Sequence, residues 1–295
     1  MRVAIVGCGP AGISTAAWLR SLHVPFEWYG MDFGGTLNRV HNAIDNAPPT
    51  LWPNGRALCD ALQGYCDKLG LAPTSHRVQQ ITQTPSGWSV DALGSFEAVV
   101  LATGTQPRTW AVPGAHAITA FTRLSSAKAP DEFVGKNVVV VGGGDGAFEA
   151  ALRLAEHASR IDVLIRSTPK ARTAYVEDAN AHPRIHVQTN AEILSAAPLG
   201  DGVVLRTNAG DVPCSAVYLK IGVEAAVPKI PSTVARAGDA TIITDDRCES
   251  SAVGLFAVGD VRSTTLQSIA TSQADGARAA RAIADRYESI MLKTR

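Results

Sequence analysis

The stretch that decides the fold is Val3–Val6 followed by Gly7–Gly12, which together read VAIV-GCGPAG. The four apolar residues predict a buried strand, and the pattern that follows the glycines predicts a helix. A glycine-rich turn between a strand and a helix is typical of a dinucleotide-binding βαβ unit. In such a unit Gly7 permits the tight turn, Gly9 lets a pyrophosphate approach the backbone, and Gly12 lets the helix pack against the strand.

Pro10 precedes the predicted helix, which begins at Ala11 and ends at Leu22. The backbone amides that follow Pro10 are expected to point at the phosphates, where the positive end of the helix dipole favours an anion.

A second fingerprint follows a second apolar run, Val138–Val141. Its pattern is G-x-G-x-x-A, and its residues are Gly142, Gly144, Asp145, Gly146 and Ala147. The sequence therefore predicts two nucleotide cofactors held by one polypeptide, an arrangement that suits relayed electron transfer.

Composition excludes several other classes of protein. The chain has 295 residues, of which 46% are hydrophobic and 18% charged, so two globular domains with substantial cores are expected. Its 27 basic residues balance its 27 acidic ones, which favours neither nucleic acid nor a membrane surface as a partner. Without an apolar stretch of the roughly 20 residues that a bilayer span needs, we expect a cytoplasmic protein.

Strands alternate with helices along the chain, which predicts the α/β class with parallel sheets. A stretch rich in Ser, Ala, Lys and Pro, Leu124–Pro130, is expected to link two domains.

Several motifs, in the right order over nearly the whole chain, resemble the low-molecular-weight thioredoxin reductase branch of the two-dinucleotide-domain flavoproteins. They are Gly30–Leu37 (GMDFGGTL), Asp45–Pro48 (DNAP), Ala102–Gly104 (ATG), Gly142–Ala150 and Gly254–Val261 (GLFAVGDV). The resemblance implies two Rossmann-like, three-layer domains. Residues 1–112 and 240–295, the two chain ends, would form an FAD-binding domain, and residues 113–239 an NAD(P)-binding domain. It also implies a homodimer.

The resemblance assigns FAD contacts to residues well beyond the fingerprint. The pyrophosphate would lie on the glycines, the turn at 34–37 would hold the middle of the cofactor, Asp260 would bond the ribityl chain, and Val78 would lie near the adenine. A helix N-terminus at 267–269 would face the flavin pyrimidine edge and stabilise negative charge there. These residues are Gly34, Gly35, Thr36, Leu37, Asn46, Val78, Ala102, Thr103, Gly104, Gly259, Asp260, Gln267, Ser268 and Ile269. The acid that a dinucleotide site places about 20 residues after the glycines is Asp32 or Glu27; the family's turn pattern favours Asp32.

Basic residues follow the strand after the second fingerprint. Arg166 and Ser167 end that strand, Lys170 and Arg172 come next, and no acid appears before Glu177. Arginine suits the 2′-phosphate of NADPH, so NADPH is the expected second cofactor. The family pattern here is His-Arg-Arg, and because this chain keeps one arginine of the pair, a weakened phosphate grip or loss of nicotinamide binding stays open.

The family's cysteine pair has no counterpart in the sequence. The five cysteines, Cys8, Cys59, Cys66, Cys214 and Cys248, form no Cys-x-x-Cys, and both places where related enzymes carry the pair lack cysteine. We therefore expect an FAD-dependent oxidoreductase that passes electrons from NADPH to an acceptor other than a disulfide: a ferredoxin- or flavodoxin-like protein, a small molecule or oxygen. His41, in the loop expected over the flavin, is a candidate catalytic residue.

Two alternatives stay open at this point. The flavin could oxidise a small metabolite with little or no use of NAD(P)H. The chain could also be a flavin-binding sensor or assembly protein without turnover.

Overall fold

The computed structural model describes residues 2–124 and 130–293. The helices are α1 (Pro10–Ser21), α2 (Gly55–Leu69), α3 (Asp145–Ala155), α4 (Thr173–Ala181) and α5 (Ile269–Lys293), with 3-10 helices at Gly35–Arg39, Ala115–Phe121, Pro130–Phe133 and Gly259–Val261. The strands are β1 (Val3–Val6), β2 (Phe26–Tyr29), β3 (Ile81–Thr84), β4 (Gly87–Val90), β5 (Gly94–Phe96), β6 (Ala98–Leu101), β7 (Thr105–Pro107), β8 (Thr122–Arg123), β9 (Asn137–Val141), β10 (Arg160–Ile165), β11 (Ile185–Thr189), β12 (Ile193–Leu199), β13 (Gly202–Thr207), β14 (Gly210–Cys214), β15 (Ala216–Leu219), β16 (Val223–Ala225) and β17 (Leu255–Ala257).

The chain divides into two compact units. The first consists of the residues up to Gln106 and from Glu224 onward, and the second is Pro107–Val223. The boundaries expected from the sequence, after residues 112 and 239, differ from these. Residues 224–239 lie in the first unit because Ile230 and Val234 are buried in its core.

The first unit has three layers, built around a parallel sheet in the order β17-β6-β1-β2. Along β1, alternate residues face opposite sides, as the two-residue period of a strand requires. Val3 and Ile5 pack with α1 and α5, whereas Ala4 and Val6 pack against the antiparallel sheet β3-β4-β5. Both faces of the parallel sheet are therefore covered, which explains why β1, β6 and β17 consist of apolar residues only.

The second unit repeats this plan with a parallel sheet in the order β11-β10-β9-β15-β8. Val138 and Val140 of β9 pack with α3, and Val139 packs on the side of the antiparallel sheet β12-β13-β14. The expected α/β class with two three-layer dinucleotide-binding folds is confirmed. Most of the stretch expected to link the domains, residues 125–129, lies outside the described residues.

No helix within residues 2–124 and 130–293 is both long enough and apolar enough to cross a membrane.

Candidate functional site

The first fingerprint needs its glycines for three different reasons. Gly7 has a φ of +114°, and a Cβ there would lie 2.2 Å from the carbonyl oxygen of Ala102. A Cβ on Gly12 would lie 2.1 Å from the carbonyl oxygen of Gly7, so α1 packs directly on the turn. Gly9 differs, because a Cβ there would meet only Gly34, at 3.9 Å. The space in front of Gly9 is thus open to a ligand.

Helix α1 begins without a side-chain cap. Its N-cap is Gly9, Pro10 is its first residue, and within the described part of the chain no side chain accepts a hydrogen bond from its first turn. Helix α2 is the contrast, since Asn54 Oδ1 accepts from Ala57 N at 3.0 Å. The first amides of α1 are orphan donors at the positive end of a helix, a ready site for a phosphate.

The turn at 33–39 lies beside this helix start. Gly34 donates from its amide to Cys8 O at 2.8 Å, and a Cβ on Gly35 would lie 3.4 Å from Gly9 Cα. Both glycines have positive φ, +83° and +54°. Thr36 and Leu37 follow in the 3-10 helix, with Leu37 buried. The structure thus brings this turn next to the fingerprint, as the resemblance implies.

Thr103 carries the clearest sign of a missing partner. Its hydroxyl is buried and has no hydrogen-bond partner within the residues that the structure describes. A buried hydroxyl without a partner is costly and rare. The Thr103 amide lies next to Gly7, and a Cβ on the following Gly104 would meet nothing within 4 Å. The Ala102–Gly104 segment therefore offers both a polar group and space beside the fingerprint, which fits a bound dinucleotide.

The Gly259–Asp260 turn, from the C-terminal part of the chain, packs against helix α1. A Cβ on Gly259, which has a φ of +71°, would lie 2.9 Å from Ala11 Cβ. Burial raises the pKa of Asp260, a hydrogen bond with Ser272 opposes this shift, and the charge of Asp275 adds to it.

Ser268 caps the beginning of α5. Its hydroxyl accepts from Thr271 N at 3.1 Å, and Thr271 Oγ1 accepts from Ser268 N at 3.1 Å. Gln267 Nε2 donates to Asp260 O at 3.4 Å, which connects the helix start to the turn. Ile269, the first residue of α5, is half-buried.

The structure distinguishes the two acids considered for the adenosine ribose. Glu27 is occupied: it forms an ion pair with Arg2 at 2.5 Å and accepts from Tyr29 OH at 2.5 Å. The Tyr29 and Arg2 hydrogen bonds lower the pKa of Glu27. Asp32 is 74% exposed, with Arg77 at 3.9 Å as its ion-pair partner. Asp32 is therefore the acid that is accessible to a ligand.

Three further predicted residues belong to the first unit. Val78 is buried in the core beside the antiparallel sheet. Asn46 is exposed, and His41 is half-buried in the loop after the 3-10 helix. Their assignment to the cofactor or to catalysis stays a prediction.

The second fingerprint has the same construction. Gly142 has a φ of +141°, and a Cβ there would lie 2.2 Å from Lys220 O. Gly144 is the N-cap of α3, which also lacks a side-chain cap among the described residues. A Cβ on Gly144 or Gly146 would meet nothing within 4 Å, whereas Ala147 is buried against the sheet.

A short strap formed by residues 168–172 crosses this fingerprint. Lys170 N and Ala171 N both donate to Gly143 O, at 2.7 and 3.1 Å. Arg172 donates from Nε to Asp145 Oδ2 at 2.8 Å, and its guanidinium carbon lies 4.5 Å from the centre of the Tyr175 ring. Arg172, expected at the 2′-phosphate, is thus already paired within the chain.

Arg166 and Ser167 are exposed at the end of β10. Arg166 has no ion-pair partner within the described ranges, so its charge is accessible to a phosphate.

Comparison with known proteins now decides the family. The family model described as pyridine nucleotide-disulphide oxidoreductase matches residues 1–276. The chain belongs to this family. The thioredoxin reductase of Treponema pallidum is 28% identical over 98% of this chain and 97% of its own length, and that of Bacillus subtilis is 26% identical over 99% and 97%.

Solved structures of a thioredoxin reductase and of a bacillithiol disulfide reductase share the fold of this chain. The Lactococcus lactis thioredoxin reductase superposes with a TM-score of 0.84 at 22% identity and covers 97% of this chain and 98% of its own. The bacillithiol disulfide reductase of Staphylococcus aureus gives 0.79 at 15% identity, with coverage of 97% and 98%. The expected cofactors are confirmed for the family, because its thioredoxin reductase-type members use FAD and NADPH.

All five cysteine thiols of this chain are buried, and none of them forms a disulfide. Burial raises the pKa of Cys8 and Cys66 to about 11, that of Cys214 and Cys248 to about 12, and that of Cys59 as well. Redox-active thiols have lowered pKa values, because the thiolate is the nucleophile. Cys59 and Cys66, although on one helix, lie in separate core clusters.

Sequence reasoning missed Asp275, which accepts hydrogen bonds beneath the Gly259–Asp260 turn. An acid in an alanine-rich helix looks like a solvent-exposed residue. Ser272, Asp275 and Ala279 are spaced three and four residues apart, however, and all three are buried. The helical period could have placed Asp275 on the buried face of α5.

Proposed function

We propose that this chain is an FAD-dependent oxidoreductase that takes reducing equivalents from NADPH and passes them to an acceptor other than a disulfide. The observation that carries the second part is the state of the cysteines. Each of the five is buried with a raised pKa, and the sequence contains no Cys-x-x-Cys. A chain with this set of thiols has no evident disulfide relay between a flavin and a protein substrate.

For FAD, the open first turn of α1 would receive the pyrophosphate, with Gly9 and Ala11 nearest to it. Thr103 Oγ1 would gain the partner that it lacks, Asp32 would accept from the adenosine ribose, and Asp260 would bond the ribityl chain. FAD would supply hydride acceptance and onward electron transfer. The positive N-terminal end of α5, which begins at Ile269, would stabilise negative charge on the reduced flavin ring.

For NADPH, the first turn of α3 would receive the pyrophosphate. Arg166 is the accessible charge for the 2′-phosphate, with Lys170 on the strap nearby in sequence. Arg172, paired with Asp145, would act by holding the strap in place.

The test is anaerobic mixing of the purified flavoprotein with NADPH or NADH, followed through the flavin absorbance. We expect loss of the oxidised flavin spectrum, faster with NADPH. An unchanged spectrum with both nucleotides would overturn the pyridine-nucleotide part of the proposal.

The acceptor is tested in a second step with the reduced protein. Oxygen, a quinone and a ferredoxin-type protein are compared with thioredoxin and with low-molecular-weight disulfides. We expect reoxidation by at least one of the first three and none by the disulfides. Rapid turnover with any disulfide would contradict the proposal.

A further inference from the structure

Beneath the Gly259–Asp260 turn lies a buried cluster of charge. Asp275 on α5 is 3% exposed, and its Oδ1 accepts from Arg262 Nη1 at 2.6 Å. Arg278 Nη1 donates to the same oxygen at 3.2 Å, and the Cys248 thiol lies 3.6 Å from Arg262 Nη1. The Arg262 side chain is only 14% exposed. Burying such a pair costs desolvation free energy, so it is weak evidence for stability and better evidence for a positional role.

The cluster holds both ends of one short turn. The amide of Gly259 donates to Asp275 Oδ2 at 3.2 Å, and the guanidinium of Arg262 binds Oδ1. Arg262 N donates to Gly259 O at 3.0 Å, which closes the turn around Asp260. A single carboxylate on α5 thus fixes the first and last residues of the turn that presents Asp260.

The turn has little room to adopt another position. A Cβ on Gly259 would lie 2.9 Å from Ala11 Cβ and 3.1 Å from Ser272 Oγ. A Cβ on Gly276, the neighbour of Asp275, would lie 2.6 Å from Ala11 O. Ser14 Oγ donates to Gln273 O at 2.7 Å, so α5 and the phosphate-binding helix α1 are joined along this face.

We infer that Asp275 is a positioning residue for the flavin: through the Gly259 amide and Arg262 it sets the place of Asp260 at the ribityl chain. The inference rests on the proposed function, because it requires FAD in this unit. It assigns to Asp275 no contact with the cofactor. Its effect is therefore confined to the part of FAD that Asp260 reaches.

The experiment compares two ligands on the apoprotein of the full chain. FAD has a ribityl chain, whereas ADP carries only the adenosine diphosphate half that the fingerprint and Asp32 would hold. In Asp275→Asn we expect the dissociation constant for FAD to rise about tenfold or more, as for loss of one charge-assisted hydrogen bond. The constant for ADP should change less than about twofold.

Asp285→Asn is the matched control. Asp285 lies on the same helix and pairs with Arg281 at 2.9 Å and Arg247 at 3.4 Å, away from the turn. We expect both dissociation constants to stay at the wild-type values. Asp275→Asn leaves Arg262 buried without its charge partner, so the double variant Asp275→Asn/Arg262→Gln carries the test if the single variant does not fold.

Equal loss of FAD and ADP affinity would show a general structural role and overturn the inference, and so would wild-type affinity for FAD in the single and double variants. If the double variant also fails to fold, the cluster has a general structural role and the inference is overturned. A wild-type chain that binds ADP but no FAD would instead overturn the proposed function, and the inference with it.

Discussion

Arg172 and Asp145 form a two-point connection across the second fingerprint. The Arg172 backbone amide donates to Asp145 Oδ1 at 2.8 Å, and its Nε donates to Oδ2 at 2.8 Å. Asp145 lies in the first turn of α3, where a carboxylate is stabilised by the helix but would repel an incoming phosphate. Pairing with Arg172 neutralises that carboxylate and fixes the strap at the same time.

This pairing predicts different effects for two neighbouring arginines. Arg166→Ala should raise the KM for NADPH about tenfold and leave the KM for NADH nearly unchanged, because Arg166 would contact only the 2′-phosphate. Arg172→Ala should raise both constants together, because it removes the side-chain bond to Asp145 and the contact with Tyr175 and so loosens the strap, although the backbone bonds to Gly143 and Asp145 remain. Steady-state kinetics with both nucleotides measures this. Arg206→Ala, an exposed change on the antiparallel sheet of the same unit, is the control; an NADPH-selective loss in Arg172→Ala would contradict this role.

Gly9→Ala should separate cofactor binding from folding. A Cβ there meets only Gly34 at 3.9 Å, so the free energy of unfolding of the apoprotein should stay within about 1 kcal/mol of the wild-type value. The same methyl group occupies the space that a pyrophosphate needs, and FAD affinity should fall at least about tenfold. Denaturant unfolding and FAD titration of the apoprotein provide both numbers.

Two further glycine variants serve as comparisons for Gly9→Ala. Gly12→Ala should destabilise the apoprotein itself, since its Cβ would lie 2.1 Å from Gly7 O. Gly64→Ala, at a helix position with nothing within 4 Å, should stabilise it by up to about 1 kcal/mol without changing FAD affinity. If Gly9→Ala bound FAD with normal affinity, the first fingerprint would not be part of the FAD site.

Thr103→Val tests whether the unpartnered hydroxyl serves a ligand. The change keeps the shape and removes a buried polar group, so the apoprotein should gain about 1 kcal/mol of unfolding free energy. FAD binding should weaken, because the cofactor loses the hydrogen bond that Thr103 would provide. Calorimetry of the apoprotein with and without FAD records both effects. A variant that is less stable without FAD would show that the hydroxyl already has a structural partner.

Asp91 should make the first unit sensitive to acid. Burial raises its pKa, but hydrogen bonds from His76 and the amides of Gln79 and Gln80 outweigh burial, and the net pKa is lowered. A lowered folded pKa contributes stability above the unfolded value, about 3.9, and this contribution is lost as the pH falls through the folded value. Urea unfolding between pH 6 and pH 3 should therefore show that the free energy of unfolding falls more steeply with decreasing pH for the wild type than for Asp91→Asn. Parallel curves would contradict this assignment.

The sequence predicted the parallel sheets well because buried strands such as Val138–Val141 are uniformly apolar and lead into glycine turns. It did not predict the antiparallel layers. Their strands are short and mixed in composition, and alternation of buried residues marks only some of them, such as Trp88 and Val90 in β4 and Val203 and Leu205 in β13.

Side-chain partners were beyond sequence reasoning for a different reason. The spacing from the fingerprint permits Glu27 or Asp32 at the ribose, and only the Arg2 and Tyr29 contacts show that Glu27 is occupied. Arg172 likewise looks like a phosphate ligand until Asp145 is found beside it, 27 residues earlier in the chain. Such pairings depend on tertiary contacts, which motif spacing does not specify.

We propose that electrons leave this protein directly from a flavin, without a disulfide relay. An anaerobic reductive titration of the purified flavoprotein counts the electrons that it accepts per bound FAD. We predict about two electrons per flavin, because under the proposed function the flavin would accept electrons without a second redox centre. An uptake of about four, as for a flavin together with a reducible disulfide, would contradict the account.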